Sequence, residues 1–386
     1  MDIAEATLID LFSGCGGLGL GMHQSGFRTV LANELHPDPA STYINNLIPE
    51  NPEIMKIGPI QELLNDDSLD EWMMKNDFDV DCIAGGPPCQ GFSVAGKGKS
   101  DDHRNTLIHE FLRVVKKIRP KTIIFENVPG FANRYGLGFR DYLHNSLESE
   151  NYTICSGILK ARDFGVPQLR RRFIAIGIRN EVLGERKLSL PEPTYSIQRQ
   201  EKELTTEMII GDLDTYKTRG GYGSGTIHGD WKYNTVAKSQ FQKEMRKNTG
   251  VGKNGSTWNT KIPNHQKRVT KRMGEILSGK KKEDFIGTKL ESAKHSQRAL
   301  HRKMVPNITI LSTPDDYVHY NKEFPRTLSV RECARFQTFP DDFYFYGKRT
   351  SGGERRKNDV PQYTQVANAI PPRLGKEIGK CLKGYI

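Results

Sequence analysis

Several broad classes are excluded by what this sequence lacks. In 386 residues no stretch reaches the ~18 consecutive apolar residues of a membrane-spanning helix, so no membrane partner is expected. The opening MDIAEATLIDLF has no basic segment followed by an apolar run; no secretory leader is read there, and a cytoplasmic protein is expected. The six cysteines (Cys15, Cys82, Cys89, Cys155, Cys333, Cys381) are scattered and form no C-x-x-C pair. That argues against a disulfide framework and against a zinc centre, and no metal is expected. Internal repeats and long low-complexity tracts are also missing.

What is present suits a globular chain of two domains, since the length exceeds one compact core and hydrophobic residues make up 36%. The net charge of +11 is unevenly placed: residues 231–310 hold 19 Lys and Arg against 5 Asp and Glu, and the rest holds 38 against 41. Such a block is the electrostatic footprint of a polyanion partner, although charge alone leaves a solvated lysine-rich insert equally open.

Residues 1–180 alternate short apolar runs with helical patterns. TLIDLF (7–12), TVLAN (29–33), VDCIAGG (80–86) and TIIFEN (122–127) read as buried parallel strands, and TLIHEFLRVVKKI (106–118) as a helix between them. This rhythm predicts an α/β fold with a doubly wound sheet, whose ligand crevice lies at the carboxyl ends of the strands. Beyond about residue 190 the character changes. Residues 214–262 show weak periodicity, and order is expected to return near 305. The segment PPRLGKEIGKCL (371–382) opens with prolines suited to a helix N-terminus.

Four segments carry chemistry. In DLFSGCGGLGLG (10–21), Gly14, Gly16 and Gly19 satisfy the G-x-G-x-x-G spacing of a dinucleotide turn, and Glu34 lies where an acid can bind ribose hydroxyls. This signal alone fits NAD as well as S-adenosylmethionine. AGGPPCQGFS (84–93) follows a strand and presents Cys89 on a loop stiffened by Pro87 and Pro88, as a nucleophile requires; a structural cysteine in a proline-rich turn is the alternative. IIFENVPG (123–130) ends another strand with Glu126, whose apolar surroundings favour acid work; an acid capping the next helix is the alternative. In GVPQLRRRFIAIG (165–177), Gln168, Arg170 and Arg172 alternate and are predicted to share one face of a strand.

In this order the segments resemble the DNA (cytosine-5)-methyltransferase family of bacterial restriction–modification systems. The hallmarks are DLFSGCGG, GGPPCQGFS, FENV and QLRRR, followed by RTLSVRECARFQTFP (326–340) and QVANAIPP (365–372). The resemblance implies a Rossmann-like S-adenosylmethionine-dependent catalytic domain, 1–194 completed by 324–386, with 195–323 as a smaller, variable target-recognition domain. It implies that Phe12, Gly14, Gly16, Ile60 and Pro88 line the cofactor site, that Glu34 binds the ribose, and that Asn368 helps close the site. Cys89 would be the nucleophile, Glu126 the partner of cytosine ring nitrogen 3 and the amino group, and Arg172 a second contact to that base. Gln90, Ser93, Gln168 and Arg170 would contact DNA. Two positions depart from the family pattern: the usual Gly-Asp-Ile reads Gly58-Pro59-Ile60, with no aspartate for the adenine amino group, and the usual late glycine is Ala367.

The expected partner is double-stranded DNA, bound by a monomer, with a cognate restriction endonuclease acting on the same site. An RNA (tRNA) cytosine-5 methyltransferase of the same fold is the nearest alternative, since its chemistry would be the same. The large basic insert favours duplex DNA. An NAD-dependent oxidoreductase would leave the Pro-Cys loop, FENV and QLRRR unexplained, and the intact set of Cys89, Glu126 and Arg172 disfavours a catalytically dead DNA-binding protein.

Overall fold

The apolar runs pair into one sheet. In the computed structural model, which describes residues 5–65, 68–76, 79–88, 107–133, 138–195, 203–213, 231–233, 235–252, 255–263, 265–291, 297–313, 316–350 and 359–386, these runs become β1 (Ala6–Leu11), β2 (Phe27–Glu34), β4 (Cys82–Gly85) and β5 (Thr122–Asn127). With β3 (Met55–Ile57), β6 (Tyr152–Lys160) and β7 (Arg171–Arg179) they form a seven-stranded sheet in the order β3-β2-β1-β4-β5-β7-β6. The first five strands pair in parallel, while β7 runs antiparallel to both β5 and β6.

Helices cover the sheet, so its inner strands are apolar along their length; every residue of β1 is buried. Between the strands run α1 (Gly17–His23), α2 (Pro37–Leu47), α3 (Ile60–Asn65), α4 (Ser68–Lys75) and α5 (Leu107–Ile118). α5 turns Ile108, Phe111, Val114 and Val115 onto Ile9, Val30, Ile83 and Ile123. Each such side chain contributes roughly 1.5–3 kcal/mol through removal from water. The C-terminal helix Pro372–Lys383 lies against α1 at Gly21, where an added Cβ would meet the backbone of Pro372 and Lys376 at 2.5 Å.

The strand order reverses between β1 and β4, which makes their carboxyl ends the switch point where ligands of such sheets bind. The first glycine turn, Glu34, the start of the Pro-Cys loop and Glu126 all follow or end strands at this edge.

By packing the chain divides into two units: Met1–Gly165 with Arg170–Ser196 and Ile370–Ile386, and Val166–Leu169 with Ile197–Ala369. Residues 324–369 thus pack with the second unit, whereas the motifs group them with the catalytic part. Among its described residues the second unit holds helices Thr206–Ile210, Gln240–Met245, Lys267–Leu277, Val330–Phe336 and Gln362–Asn368, and two small two-stranded sheets. Order therefore returns well before 305. In Lys267–Leu277, Met273 and Ile276 pack on Phe285 and Val318, and the surrounding Lys and Thr mask that spacing in sequence. At this unit's centre Arg335 lies 2.6 Å from both Asp212 and Asp341, while Arg246 pairs with Asp212 at 3.2 Å and stacks on the Tyr233 ring. Buried charges are tolerated only when paired this fully. Among the described residues no helix is long and apolar enough to cross a membrane.

Candidate active site

The turn after β1 is shaped by its backbone. Phe12, Gly14 and Gly16 all have positive φ (53°, 56° and 89°), an uncommon state for an aromatic residue. The Phe12 ring packs on the sheet's core, and the Ser13 N–H donates to the Asn33 carbonyl at 3.0 Å. At Gly16 a Cβ would strike Leu47 at 2.6 Å and Tyr43 at 2.9 Å, so glycine is needed there for packing. At Gly14 a Cβ would meet nothing within 4 Å, which leaves the backbone open to a ligand.

Glu34, at the end of β2, buttresses this turn. One carboxylate oxygen accepts the Gly14 N–H and the other the His36 N–H, each at 2.9 Å. Burial pushes the Glu34 carboxyl up, and these N–H bonds work against the shift. Ser13 Oγ is buried and has no hydrogen-bond partner among the described residues. An open glycine backbone, a carboxylate at the strand end and an orphaned hydroxyl suit a polar ligand such as S-adenosylmethionine. Beneath the turn the Asp10 carboxyl is wholly buried, with Oδ2 lacking a partner among the described residues; burial pushes it up to about 7, opposed by a hydrogen bond from Tyr43. Ile60 opens α3 with its side chain committed to the core beside Leu63 and Leu31, and Pro88 is exposed.

At the other end of the crevice Glu126 faces Arg172, a neighbouring pair created by the antiparallel pairing of β5 with β7. Arg172 Nε lies 2.6 Å from Glu126 Oε1, and both side chains are largely buried. The N–H is not aimed at that oxygen, so the contact is an ion pair rather than a linear hydrogen bond. Burial pushes Glu126 above the usual carboxylate range, and the Arg172 charge pulls the other way. Gly86, at the start of the Pro-Cys loop, abuts this carboxylate: a Cβ there would stand 2.6 Å from Glu126 Oε2. The Asn127 amide donates to the Pro87 carbonyl at 3.1 Å, which ties the end of β5 to the same loop. The sequence reading assigned no role to Gly86 or Asn127; their only signal was adjacency to Pro87 and Glu126.

Cys89, Gln90 and Ser93 lie outside the described residues. The other five cysteines form no disulfide among the described residues, and burial pushes all five thiols up, Cys82 to about 12 and Cys155 to about 11. None of them is prepared to act as a thiolate.

One expectation is corrected. Gln168, Arg170 and Arg172 do not share a strand face, because β7 begins only at Arg171. Pro167 brings no N–H for a sheet ladder, and the Gln168 N–H folds back onto the Val166 carbonyl at 2.8 Å. Gln168 is fully buried in the second unit, its amide donating to Phe336 O at 2.9 Å and to Gln337 Oε1 at 2.6 Å; Arg170 is also buried. Asn368 ends its helix, exposed, in the second unit, and Ala367 before it is buried. Among the described residues no group of three or more His, Cys, Asp or Glu is gathered to hold a metal ion.

Comparison with known proteins agrees with this geometry. A model of the C-5 cytosine-specific DNA methylase family matches residues 6–384. The type II methyltransferase M1.HphI of Haemophilus parahaemolyticus is 32% identical over 97% of this chain and 86% of its own length. The type II methyltransferase M.MthTI of Methanothermobacter thermautotrophicus is 30% identical over 99% and 97%. A crystal structure of a putative DNA modification methyltransferase encoded within a prophage of Escherichia coli superimposes with a TM-score of 0.71 at 25% identity, covering 98% of this chain and 99% of that one. With a Rossmann-like sheet, a glycine turn answered by Glu34 and a Glu126–Arg172 pair at the same edge, the chain belongs to the C-5 cytosine-specific DNA methylase family.

Proposed function

We propose that this DNA (cytosine-5)-methyltransferase works through Cys89 as nucleophile, Glu126 as acid and Arg172 as the cation that holds that acid and contacts the target base. The target cytosine must leave the duplex stack, because its reacting atoms are inaccessible in a base pair; unstacking costs a few kcal/mol. The Cys89 thiolate adds to carbon 6, and Glu126 gives a proton to ring nitrogen 3, so that carbon 5 becomes an enamine carbon and a nucleophile. Bound S-adenosylmethionine supplies the electrophilic methyl group. The carbon 5 proton then goes to a base, the thiolate is eliminated, and the ring nitrogen 3 proton returns to Glu126.

The observation that carries this reading is the Glu126–Arg172 pair held against Gly86, three residues before Cys89. Its neighbours support it: a protonated Glu126 is favoured by burial, and the five described cysteines are all kept as thiols. Gly14, Gly16, Phe12 and Glu34 would hold the donor. The comparisons favour DNA over the RNA alternative.

Base readout is assigned to 195–323, with the exposed lysines and arginines of 231–310 gripping phosphates, whereas Arg246 and Arg272 are buried. A cytoplasmic monomer that shares its site with a restriction endonuclease completes the reading.

DNA carrying 5-fluorocytosine at the target position tests the mechanism. Fluorine cannot leave as a cation, so the adduct through Cys89 should persist under denaturing electrophoresis, require the methyl donor and vanish in Cys89→Ala. A wild type that methylates ordinary DNA yet forms no such species would refute the covalent route.

A further inference from the structure

We propose that Glu62 reads the amino group of the donor's adenine, a role that no aspartate can fill where this chain carries Pro59. The inference rests on the reading of the crevice as the S-adenosylmethionine site. The strand order sets where each part of that ligand falls. The reacting methyl belongs beside the loop after β4, which bears Cys89, and the ribose belongs at Glu34 on β2. From β4 through β1 and β2 to β3 there are three strand spacings, about 14 Å in all. That is the reach of an extended nucleoside carrying an amino-acid arm. The base therefore lies over the carboxyl end of β3.

Three features meet at that end. The turn after β3 is fixed to β2: the Gly58 N–H donates to Glu34 O at 3.0 Å, and the Asn33 amide holds the carbonyls of Lys56 at 3.0 Å and Gly58 at 3.1 Å. Two apolar side chains stand exposed there, Leu35 after β2 and Ile57 closing β3, each about half uncovered. They offer an apolar face to a flat ring. Above the turn lies the Glu62 carboxylate, with Oε2 only 2.7 Å from where a Cβ on Gly58 would stand. Gly58 has φ 144°, and a side chain there would also displace Glu62, so the turn admits the carboxylate because residue 58 is glycine. Glu62 is exposed, and no cation among the described residues pairs with it.

An unpaired carboxylate accepts from an amino group and repels a carbonyl oxygen, so Glu62 would prefer adenine to hypoxanthine. A hydrogen bond to a charged group is worth roughly 1.5–3 kcal/mol, which is about 10- to 100-fold in affinity.

The test is calorimetric titration of the full chain with S-adenosylhomocysteine and with S-inosylhomocysteine, in which a carbonyl oxygen replaces the amino group. Wild type should bind the adenine compound about 10- to 100-fold more tightly. Glu62→Ala should lose most of that preference through weaker binding of the adenine compound. Glu62→Lys should reverse it, because an ammonium donates to the carbonyl oxygen. Both variants change an exposed side chain, and unchanged thermal melts would show that they fold. A wild-type preference surviving in Glu62→Ala overturns this inference and leaves the cofactor site standing. Failure of wild type to bind either compound overturns both.

Discussion

Gly86→Ala is the smallest change that should separate catalysis from folding in this enzyme. The added methyl would stand 2.6 Å from Glu126 Oε2, against 3.4 Å for ordinary contact, so the carboxylate must retreat by about 0.8 Å. Retreat is not free, since Glu126 is pinned by Arg172 at 2.6 Å and largely buried. The remaining neighbours of that methyl, the Glu126 backbone oxygen and Cβ, lie at 3.6 and 3.7 Å and tolerate it. Stability should therefore change by little, while an acid misplaced by nearly 1 Å should lower the rate of methyl transfer about 100-fold. Single-turnover transfer of a labelled methyl group to DNA measures the rate, and thermal melting measures the fold. The same alanine placed on Glu126→Gln should cost far less, because both changes act on one group. Full activity in Gly86→Ala, or an undiminished effect on the Glu126→Gln background, would refute the reasoning.

Glu126→Gln itself should slow methyl transfer by roughly 100- to 10,000-fold while S-adenosylhomocysteine binding stays unchanged; lost binding with intact chemistry would mean that the roles of Glu126 and Glu34 are exchanged. Because burial raises Glu126, the protonated form it needs as an acid is depleted as pH rises through its folded value, and the single-turnover rate should fall on the alkaline side. Asp10 gives a stability prediction: its carboxyl is raised from 3.8 to about 7, so the stability it contributes is complete below pH ~4 and is lost as pH rises through about 7. Asp10→Asn should remove roughly 2–3 kcal/mol of the stability difference between pH 5 and pH 8, read from urea unfolding at the two values; an unchanged difference would assign the pH dependence elsewhere. Cys82→Ala should keep most activity, since that buried thiol, pushed up to about 12, has no part in the chemistry, and loss of transfer in a folded Cys82→Ala would contradict that assignment.

The strands and α5 were legible because helices bury both faces of the inner sheet and leave continuous apolar runs in the sequence. The place of Glu34 at the end of the second strand was legible too, but its bond to the Gly14 N–H was not. The meeting of Gly86 with Glu126 was not: the residues lie 40 positions apart and come together only because β4 pairs in parallel with β5, Gly85 opposite Phe125. Alternation in QLRRR suggested a strand face, but Pro167 breaks the ladder and the chain folds back before β7 begins. Burial also defeats composition. Arg246 counted toward the basic block, yet with Arg331 and Arg335 it is among the largest fully buried side chains of the described residues, made tolerable by partners that sequence does not reveal.

Two glutamates at one sheet edge are held differently by what surrounds them. Both are raised by burial. Glu34 receives a backbone N–H on each oxygen, donors that cannot move or titrate, so it is organised as a fixed acceptor bonded to the turn it supports. Among the described residues Glu126 receives no such pair, and its charge is answered by Arg172, itself largely buried, while its other oxygen abuts Gly86. A carboxyl held by a side-chain cation in a desolvated setting can take and release a proton with modest rearrangement, which a carboxylate bonded to two backbone N–H groups resists. The proposed division into donor anchor and base-facing acid thus rests on the bonding partners, not on residue type or depth. The glycine at 86 fits the proposed role of the acid, because a side chain there would crowd Glu126 Oε2, from 2.6 Å, where the proposed reaction needs room for the target base.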